Sequence, residues 1–227
     1  MKNLYDGYAE HSEQLVTYLN REGDTCISKA IDAEWKRRVI EAHRKNKREI
    51  AAMEDGSDDL KRVYKQYGTT LLGLLITKTF VFALQLGDGD ICYANASGLE
   101  LVIEPEKMLG VETHSLSRDN AWEKAITVVR RFDLADHLPA MFVLSSDGFA
   151  NSYKSEDEFH NTVIDYLKMI NEHGAKAVEE NLPSWLSETS SMGCGDDITM
   201  LIAYFSQDDE KKVPVQEPAK DEVDAIE

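Results

Sequence analysis

Two short apolar runs near the middle of the chain, at 70–76 and 80–86, have the pattern of buried strands. Each run is rich in leucine, β-branched and aromatic residues and is too short for a typical helix, so each predicts a strand. The second run continues into a Gly-Asp-Gly-Asp segment at 87–90, and apolar residues resume at 91–94. Two glycines that bracket an aspartate favour a tight turn, which would project a carboxylate from the end of a buried strand.

The rest of the chain alternates between helical and strand patterns. Consecutive strands without an intervening helix imply hairpins and antiparallel pairing, which favours an α+β fold with helices packed on antiparallel sheets. Further strands are predicted at 99–103, 140–144 and 198–205. Apolar residues at three- and four-residue spacing predict amphipathic helices at 11–20 (ended by Gly23), 25–47, 119–131, 159–171 and 176–187, with a short helical piece at 60–64.

The composition is typical of a globular body with an acidic tail. The 42% share of hydrophobic residues is enough for a packed core. The net charge of −17 argues against nucleic acid and anionic membrane surfaces as partners. Residues 208–227 hold eight acids and three bases, so they carry −5 and leave −12 on the remainder. We therefore expect one domain over 1–206 and an acidic disordered tail over 207–227.

The cysteines and the apolar segments indicate a cytoplasmic protein. Cys26, Cys92 and Cys194 are odd in number, widely spaced and without a CxxC pair. This pattern predicts reduced thiols rather than a zinc site or a disulfide framework. No apolar run reaches membrane-spanning length, and the first residues lead into no signal-peptide core.

Three aspartates, Asp88, Asp147 and Asp196, each lie where a strand borders a glycine-bearing turn. Carboxylates that converge from several strand ends repel one another unless a cation neutralises them. All-oxygen ligation suits Mg²⁺ or Mn²⁺ and disfavours zinc, so the three aspartates are candidate ligands of such a metal. For the Asp88 turn taken alone, the alternative is an ordinary hairpin turn with solvated aspartates.

The sequence contains four motif-like segments, which are YGTTLL at 67–72, LGDGDI at 86–91, LSSDGF at 144–149 and GDDIT at 195–199. In order and spacing these segments resemble the motifs of the metal-dependent protein phosphatase 2C (PP2C) family, in particular its bacterial branch. The resemblance covers roughly residues 60–205. It implies an α-β-β-α sandwich of two antiparallel sheets flanked by helices, with a metal cluster at one edge.

The resemblance also implies roles for the three aspartates. Asp147 and Asp196 would bind the first catalytic metal, and Asp88 would serve a third, more weakly held metal together with Asp147. In this family two metals bridge a water that attacks the phosphorus of a phosphoserine or phosphothreonine, without a covalent intermediate. The implied substrate is a phosphoprotein. No other side chain of this chain is assigned a catalytic role.

The first residues depart from the family pattern. The family opens with strands that carry a phosphate-binding arginine, an acidic pair and an Asp-Gly-His-Gly-like segment whose aspartate bridges both metals. This chain has only LYDGYA at 4–9 before its first helix. Asp6 is either a remnant of the bridging ligand or an incidental turn residue. We therefore expect a sandwich that lacks its first strands and a second metal site that is incomplete.

Two functions remain open at this point, beside a more remote third reading in which the chain is a generic acidic α/β domain whose aspartates are only turn residues. The first is a protein serine/threonine phosphatase of the PP2C type, a hydrolase that is weak or inactive as this truncated chain. The alternative is a non-catalytic PP2C-like module with a regulatory or partner-binding role. Missing strands would leave sheet edges exposed, so these edges are candidates for pairing with a partner or with a second copy.

Overall fold

The structure is a computed structural model that describes residues 11–104, 113–131 and 133–207, apart from the side chain of Ser12. Its first element is one long helical segment. Helix α1 (Ser12–Glu22) passes through a π-helical turn at Gly23–Ile27 into helix α2 (Ser28–Lys45).

The first α-helix ends at Glu22, next to the predicted end at Gly23, but the helical path continues beyond it as a π-turn. Gly23 has helical dihedral angles, with φ −61° and ψ −43°, and the chain continues through it. A Cβ atom at this position would lie 2.9 Å from Cε2 of the buried Phe82 ring. The glycine therefore allows a close approach of the helix to the sheet rather than a change of direction.

The later helices agree with the amphipathic pattern. The helix at Glu156–His173 begins after Ser155, whose side-chain oxygen accepts a hydrogen bond from the Glu158 N–H, and it ends at Gly174 with φ +84°. None of the helices in the described ranges is long and apolar enough to cross a bilayer. The remaining helices are α3 (Leu60–Lys65), α4 (Asp147–Ala150), α5 (Glu156–His173) and α6 (Ala175–Met192), with 3₁₀ turns at Ala121–Lys124 and Ala135–His137.

The described strands form two antiparallel sheets. The first sheet has the order β1-β2-β5 and consists of β1 (Leu71–Ile76), β2 (Phe80–Leu86) and β5 (Ile126–Arg131). The second sheet has the order β4-β3-β6-β7 and consists of β3 (Asp90–Asn95), β4 (Gly98–Leu101), β6 (Ala140–Ser145) and β7 (Met200–Phe205). Every neighbouring pair of strands is antiparallel.

Alternation along the central strands divides the core into layers. On β2, Phe80 and Phe82 pack against α1, whereas Val81 and Ala83 pack against the second sheet. On β6, Phe142 faces the space between the sheets, while Met141 and Val143 pack against α5 and α6. The result is an α-β-β-α sandwich, so the predicted fold of two antiparallel sheets flanked by helices is confirmed.

The predicted helix at 119–131 is wrong, because this stretch forms a 3₁₀ turn followed by strand β5. The apolar residues were assigned a helical period, yet in the structure they alternate. Val128 packs between the sheets and Val129 packs toward α1. Pairing with β2 fixes this alternation, with Val128 opposite Ala83, and β-branched side chains fit such a pleated surface well.

Candidate metal centre

The topology brings all three predicted metal ligands to the same end of the second sheet. Asp88 lies two residues before β3, Asp147 two residues after β6, and Asp196 four residues before β7. Because β3, β6 and β7 are antiparallel neighbours, the start of β3, the end of β6 and the start of β7 coincide. The pairing of Ser145 with both Asp90 and Met200 marks this end of the sheet.

The turn that carries Asp88 is not a hairpin. Its two flanking strands belong to different sheets, so the alternative of an ordinary hairpin turn is wrong. The turn passes through a narrow space: a Cβ atom on Gly87 would lie 2.5 Å from Cγ2 of Thr70, and one on Gly89 would lie 2.5 Å from the Ser145 carbonyl oxygen. Gly87 also has φ +110°, a conformation that favours glycine.

The 87–90 turn is held by Thr113 and Gln85, which the sequence pattern did not identify as site residues. The Thr113 hydroxyl donates a hydrogen bond of 2.6 Å to Oδ2 of Asp88. The Gln85 side-chain amide donates to the carbonyl oxygens of Gly87 and Gly89. Gln85 left a signal in the sequence, since it is the one polar residue in the apolar run FVFALQL. Thr113 left none, because its contact depends on the path of a distant loop.

The segments that carry Asp147 and Asp196 are tied together by a serine. The Ser146 N–H donates to the Thr199 carbonyl at 2.9 Å, and the Ser146 hydroxyl accepts from the Thr199 N–H at 3.0 Å. The same hydroxyl donates to the Asp197 carbonyl at 3.3 Å. On the other side, the Ser190 hydroxyl donates to the Asp196 carbonyl at 2.6 Å. These bonds fix the backbone on both sides of the two aspartates.

The two segments also touch directly at Gly148. A Cβ atom there would lie 2.7 Å from the Asp197 carbonyl oxygen and 3.3 Å from Cβ of Asp196. A larger residue would therefore push the Asp196 segment away from the start of α4. The glycine that follows Asp147 thus permits the close approach of the two loops.

The carboxylates interact electrostatically. Burial raises the pKa of the half-buried Asp147, and the negative charges of Asp88 and Asp196 raise this pKa further. Asn151 donates a hydrogen bond of 3.3 Å to Oδ2 of Asp147. Without a cation, the ionised form of Asp147 is therefore held in an unfavourable environment.

The side chains at this end of the second sheet meet only part of what a divalent cation requires. Carboxylate oxygens suit Mg²⁺ or Mn²⁺, and Mg²⁺ sites commonly use one or two carboxylates with several waters. Within the described ranges, no group of three or more His, Cys, Asp or Glu side chains is arranged to hold a metal ion. Asp6 lies outside the described residues. The described donors therefore suit one cation that retains much of its hydration shell.

A groove lies beside the Asp88 turn, with a volume of about 330 Å³. His114 links the two features, because its carbonyl oxygen is 3.3 Å from the position of a Cβ on Gly87. The groove contains both acidic and basic side chains. Its lining consists of His114, Ser115, Arg118, Asp119, Asn120, Ala121, Glu123 and Lys124.

The structure is thus an α-β-β-α sandwich in which three aspartate-bearing turns lie at one end of the second sheet. The family model described as Protein phosphatase 2C matches residues 2–187 of this chain. The chain belongs to the protein phosphatase 2C family. A search of curated proteins finds no significant match.

Several solved phosphatase structures are similar to this chain at low identity. A bacterial serine phosphatase bearing one mutation is 16% identical, with 65% of this chain and 63% of that chain covered and a TM-score of 0.45. The Mycobacterium tuberculosis serine/threonine phosphatase PstP/Ppp is 13% identical, with 61% and 60% covered and a TM-score of 0.44. The catalytic domain of PstP in complex with two manganese ions is 14% identical, with 61% and 59% covered and a TM-score of 0.43. The chain thus spans less than two thirds of each of these structures.

Proposed function

We propose that this chain is a metal-dependent protein serine/threonine phosphatase that hydrolyses phosphoserine and phosphothreonine in proteins with low turnover. Asp147 and Asp196 are the proposed ligands of one Mn²⁺ or Mg²⁺, and Asp88 assists at a weaker position beside them. When bound, such a metal would activate a water and stabilise charge on the phosphoryl oxygens. Membership of the protein phosphatase 2C family supports this assignment.

One observation carries the proposal: the charges of Asp88 and Asp196 both raise the pKa of Asp147. The geometry supports it, since the three carboxylates come from three different turns at the same end of the second sheet. The backbone bonds of Ser146 hold two of these turns in place. This arrangement has an unfavourable charge that a divalent cation would remove.

Low turnover is proposed because two-metal hydrolysis needs two cations about 4 Å apart around a shared water. The described ranges contain no cluster of three or more potential ligands that could hold such a pair. This same observation favours the alternative of a non-catalytic module that binds one cation or a partner. If Asp6 bridged two metals, the phosphatase would be favoured over the non-catalytic module.

A phosphoprotein substrate would lie across the Asp88 end of the sheets, where the groove at 114–124 could accommodate residues that flank the phosphorylated one. The three cysteines are free thiols, as expected for the reducing cytoplasm that we propose as the location. Cys92 is buried in the core, and burial raises the pKa of its thiol. It is therefore a packing residue rather than a nucleophile.

The test is hydrolysis of a phosphothreonine peptide by the purified full chain with Mn²⁺. We expect slow release of phosphate that stops with chelator and falls about 100-fold in Asp147→Asn and Asp196→Asn. Asp136→Asn, at an exposed 3₁₀ turn, is the matched control and should retain the parent rate.

Two other outcomes would change the assignment. Mn²⁺ binding without any phosphate release above the blank would favour the non-catalytic module. Rapid turnover that is abolished by Asp6→Asn would show that Asp6 bridges two metals and that the second metal site is complete.

A further inference from the structure

The inner face of strand β2 contains a buried amide where an apolar side chain would be expected. Val81 and Ala83 on the same face pack against the second sheet, and Gln85 follows them with 2% of its surface exposed. A polar group in such a place is unfavourable unless it is hydrogen-bonded. The position of Gln85 therefore requires an explanation from its partners.

Both hydrogen bonds of the Gln85 amide nitrogen go to the turn that follows its strand. The nitrogen donates to the Gly87 carbonyl at 3.2 Å and to the Gly89 carbonyl at 2.8 Å. These two carbonyls flank Asp88 on either side. The other amide atom, Oε1, is buried and has no hydrogen-bond partner within the described part of the chain. The amide thus contributes to the turn while its own oxygen remains unsatisfied.

The turn needs such support because it lies outside both sheets. It leaves the first sheet after Leu86 and enters the second at Asp90, so the ladders of neither sheet pair the intervening carbonyls. Its two glycines give it wide conformational freedom, which a donor bonded to both carbonyls restricts. The Thr113 hydroxyl then fixes the carboxylate of Asp88.

We propose that Gln85 is a positioning residue for the metal centre: its amide holds the 87–90 turn so that Asp88 points toward Asp147 and contributes to binding of a divalent cation. This inference rests on the proposed function, which assigns Asp88 to the metal centre. Gln85 itself touches neither metal nor substrate.

The test is Mn²⁺ binding, measured by titration calorimetry of four full-length proteins: the parent, Gln85→Leu, Asp88→Asn and the double variant. We expect Gln85→Leu to weaken Mn²⁺ binding about 10-fold. The double variant should bind no more weakly than Asp88→Asn alone, because Gln85 acts through Asp88. Two results would overturn the proposal. One is a Mn²⁺ affinity of Gln85→Leu equal to that of the parent. The other is that Gln85→Leu lowers Mn²⁺ affinity by the same factor in the parent and in Asp88→Asn.

Hydrogen exchange without metal gives a second readout that activity and metal binding do not affect. Gln85→Leu should speed exchange of the amides at 87–90 and leave those of α5 unchanged. The matched control is Ser145→Ala, which removes a buried hydroxyl that likewise has no partner among the described residues but donates nothing to the turn. It should leave both exchange and Mn²⁺ affinity unchanged.

The two readouts separate this proposal from the proposed function. If the parent binds no Mn²⁺ but Gln85→Leu speeds exchange at the turn, the metal function fails and the role of Gln85 in holding the turn stands. If exchange at the turn is unaltered in Gln85→Leu, the positioning role is wrong whatever the metal does.

Discussion

At the scale of single residues, Asp147 is the side chain whose environment opposes its own charge. It is half-buried, and the carboxylates of Asp88 and Asp196 act on it from two other turns. Asn151 on the next helical turn donates a hydrogen bond to its carboxylate, and backbone hydrogen bonds from Gly148 and Asp147 itself offset only part of the rise in its pKa. An ionised carboxylate in such a place destabilises the metal-free fold, and a bound cation would reverse the effect.

Asp147→Asn should therefore stabilise the metal-free protein while weakening Mn²⁺ binding. After discounting for solvent screening at a half-exposed site, we expect a gain of about 0.5 kcal/mol in the free energy of unfolding. Urea denaturation in chelator measures it, with Asp136→Asn at an exposed position as the control. A large loss of stability would instead identify Asp147 as a structural hydrogen-bond acceptor.

The difference in the free energy of unfolding between Asp147→Asn and the parent should depend on pH. Because the folded pKa of Asp147 is raised above 3.8, the folded protein binds more protons than the unfolded one just above that pH. The contribution of Asp147 to stability is thus greatest below pH 3.8 and falls as the pH rises through its folded pKa. The advantage of Asp147→Asn over the parent should grow over this range and then level off. An advantage that is equal at all pH values would contradict the electrostatic cause.

At the scale of elements, the 87–90 turn connects the two sheets through a space that is too narrow for a side chain at position 87 or 89. Of the two glycines in this turn, Gly89 gives the simpler test of the steric constraint. It lacks the positive φ of Gly87, so a side chain there would be opposed by contact alone. The obstructing atom is the backbone oxygen of Ser145, which cannot move without displacing the end of β6. The geometry of the turn and that of the Asp147 segment are therefore coupled.

Gly89→Ala should lower the free energy of unfolding by about 1–3 kcal/mol, since the added methyl would overlap the Ser145 carbonyl. Gly73→Ala on β1 is the matched control. Its added methyl would meet Leu84 at an ordinary 3.8 Å, so it should be neutral or slightly stabilising. Equal effects of the two changes in chemical denaturation would mean that the turn can relax.

The outer strand β7 is the element most suited to pairing with another strand. Within the described ranges it pairs only with β6, and Leu201 on it is 57% exposed. We expect some self-association through this edge, which Leu201→Lys should reduce in sedimentation velocity experiments. Met192→Lys is the matched control, because Met192 is 80% exposed but lies at the end of α6. Equal effects of both substitutions would indicate non-specific hydrophobic contact.

At the scale of the whole molecule, charge is the dominant property. The net charge of −17 includes −5 from residues 208–227, and within the acidic body Asp88, Asp147 and Asp196 are concentrated at one end of the second sheet. The free energy of folding must overcome this self-repulsion. Divalent cations and raised ionic strength should both favour the folded state for this reason.

Removal of residues 208–227 should change the free energy of unfolding by no more than about 0.5 kcal/mol, because this segment has few apolar groups to bury. Denaturation of the full and shortened chains measures the difference. Hydrogen exchange on the full chain should show fast exchange across the segment. Protected amides there would overturn the prediction of a disordered tail.

Much of the fold was predictable because it depends on local patterns. The apolar runs at 70–76 and 80–86 form strands β1 and β2, and the amphipathic pattern predicted both long helices that cover the second sheet. The Asp-Gly segments identified Asp88, Asp147 and Asp196 as candidates because an aspartate at a glycine-bearing strand end is a feature of a few consecutive residues.

Only the tertiary structure decided which elements meet. The stretch at 126–131 became a strand because β2 was available to pair with it, and the 87–90 turn became a sheet crossing because its flanking strands have different neighbours. The contact of Thr113 with Asp88 spans 25 residues, and the electrostatic interaction of Asp147 with Asp196 spans a longer distance along the chain. Local propensity has no information about such pairs, because they form only when packing brings distant segments together.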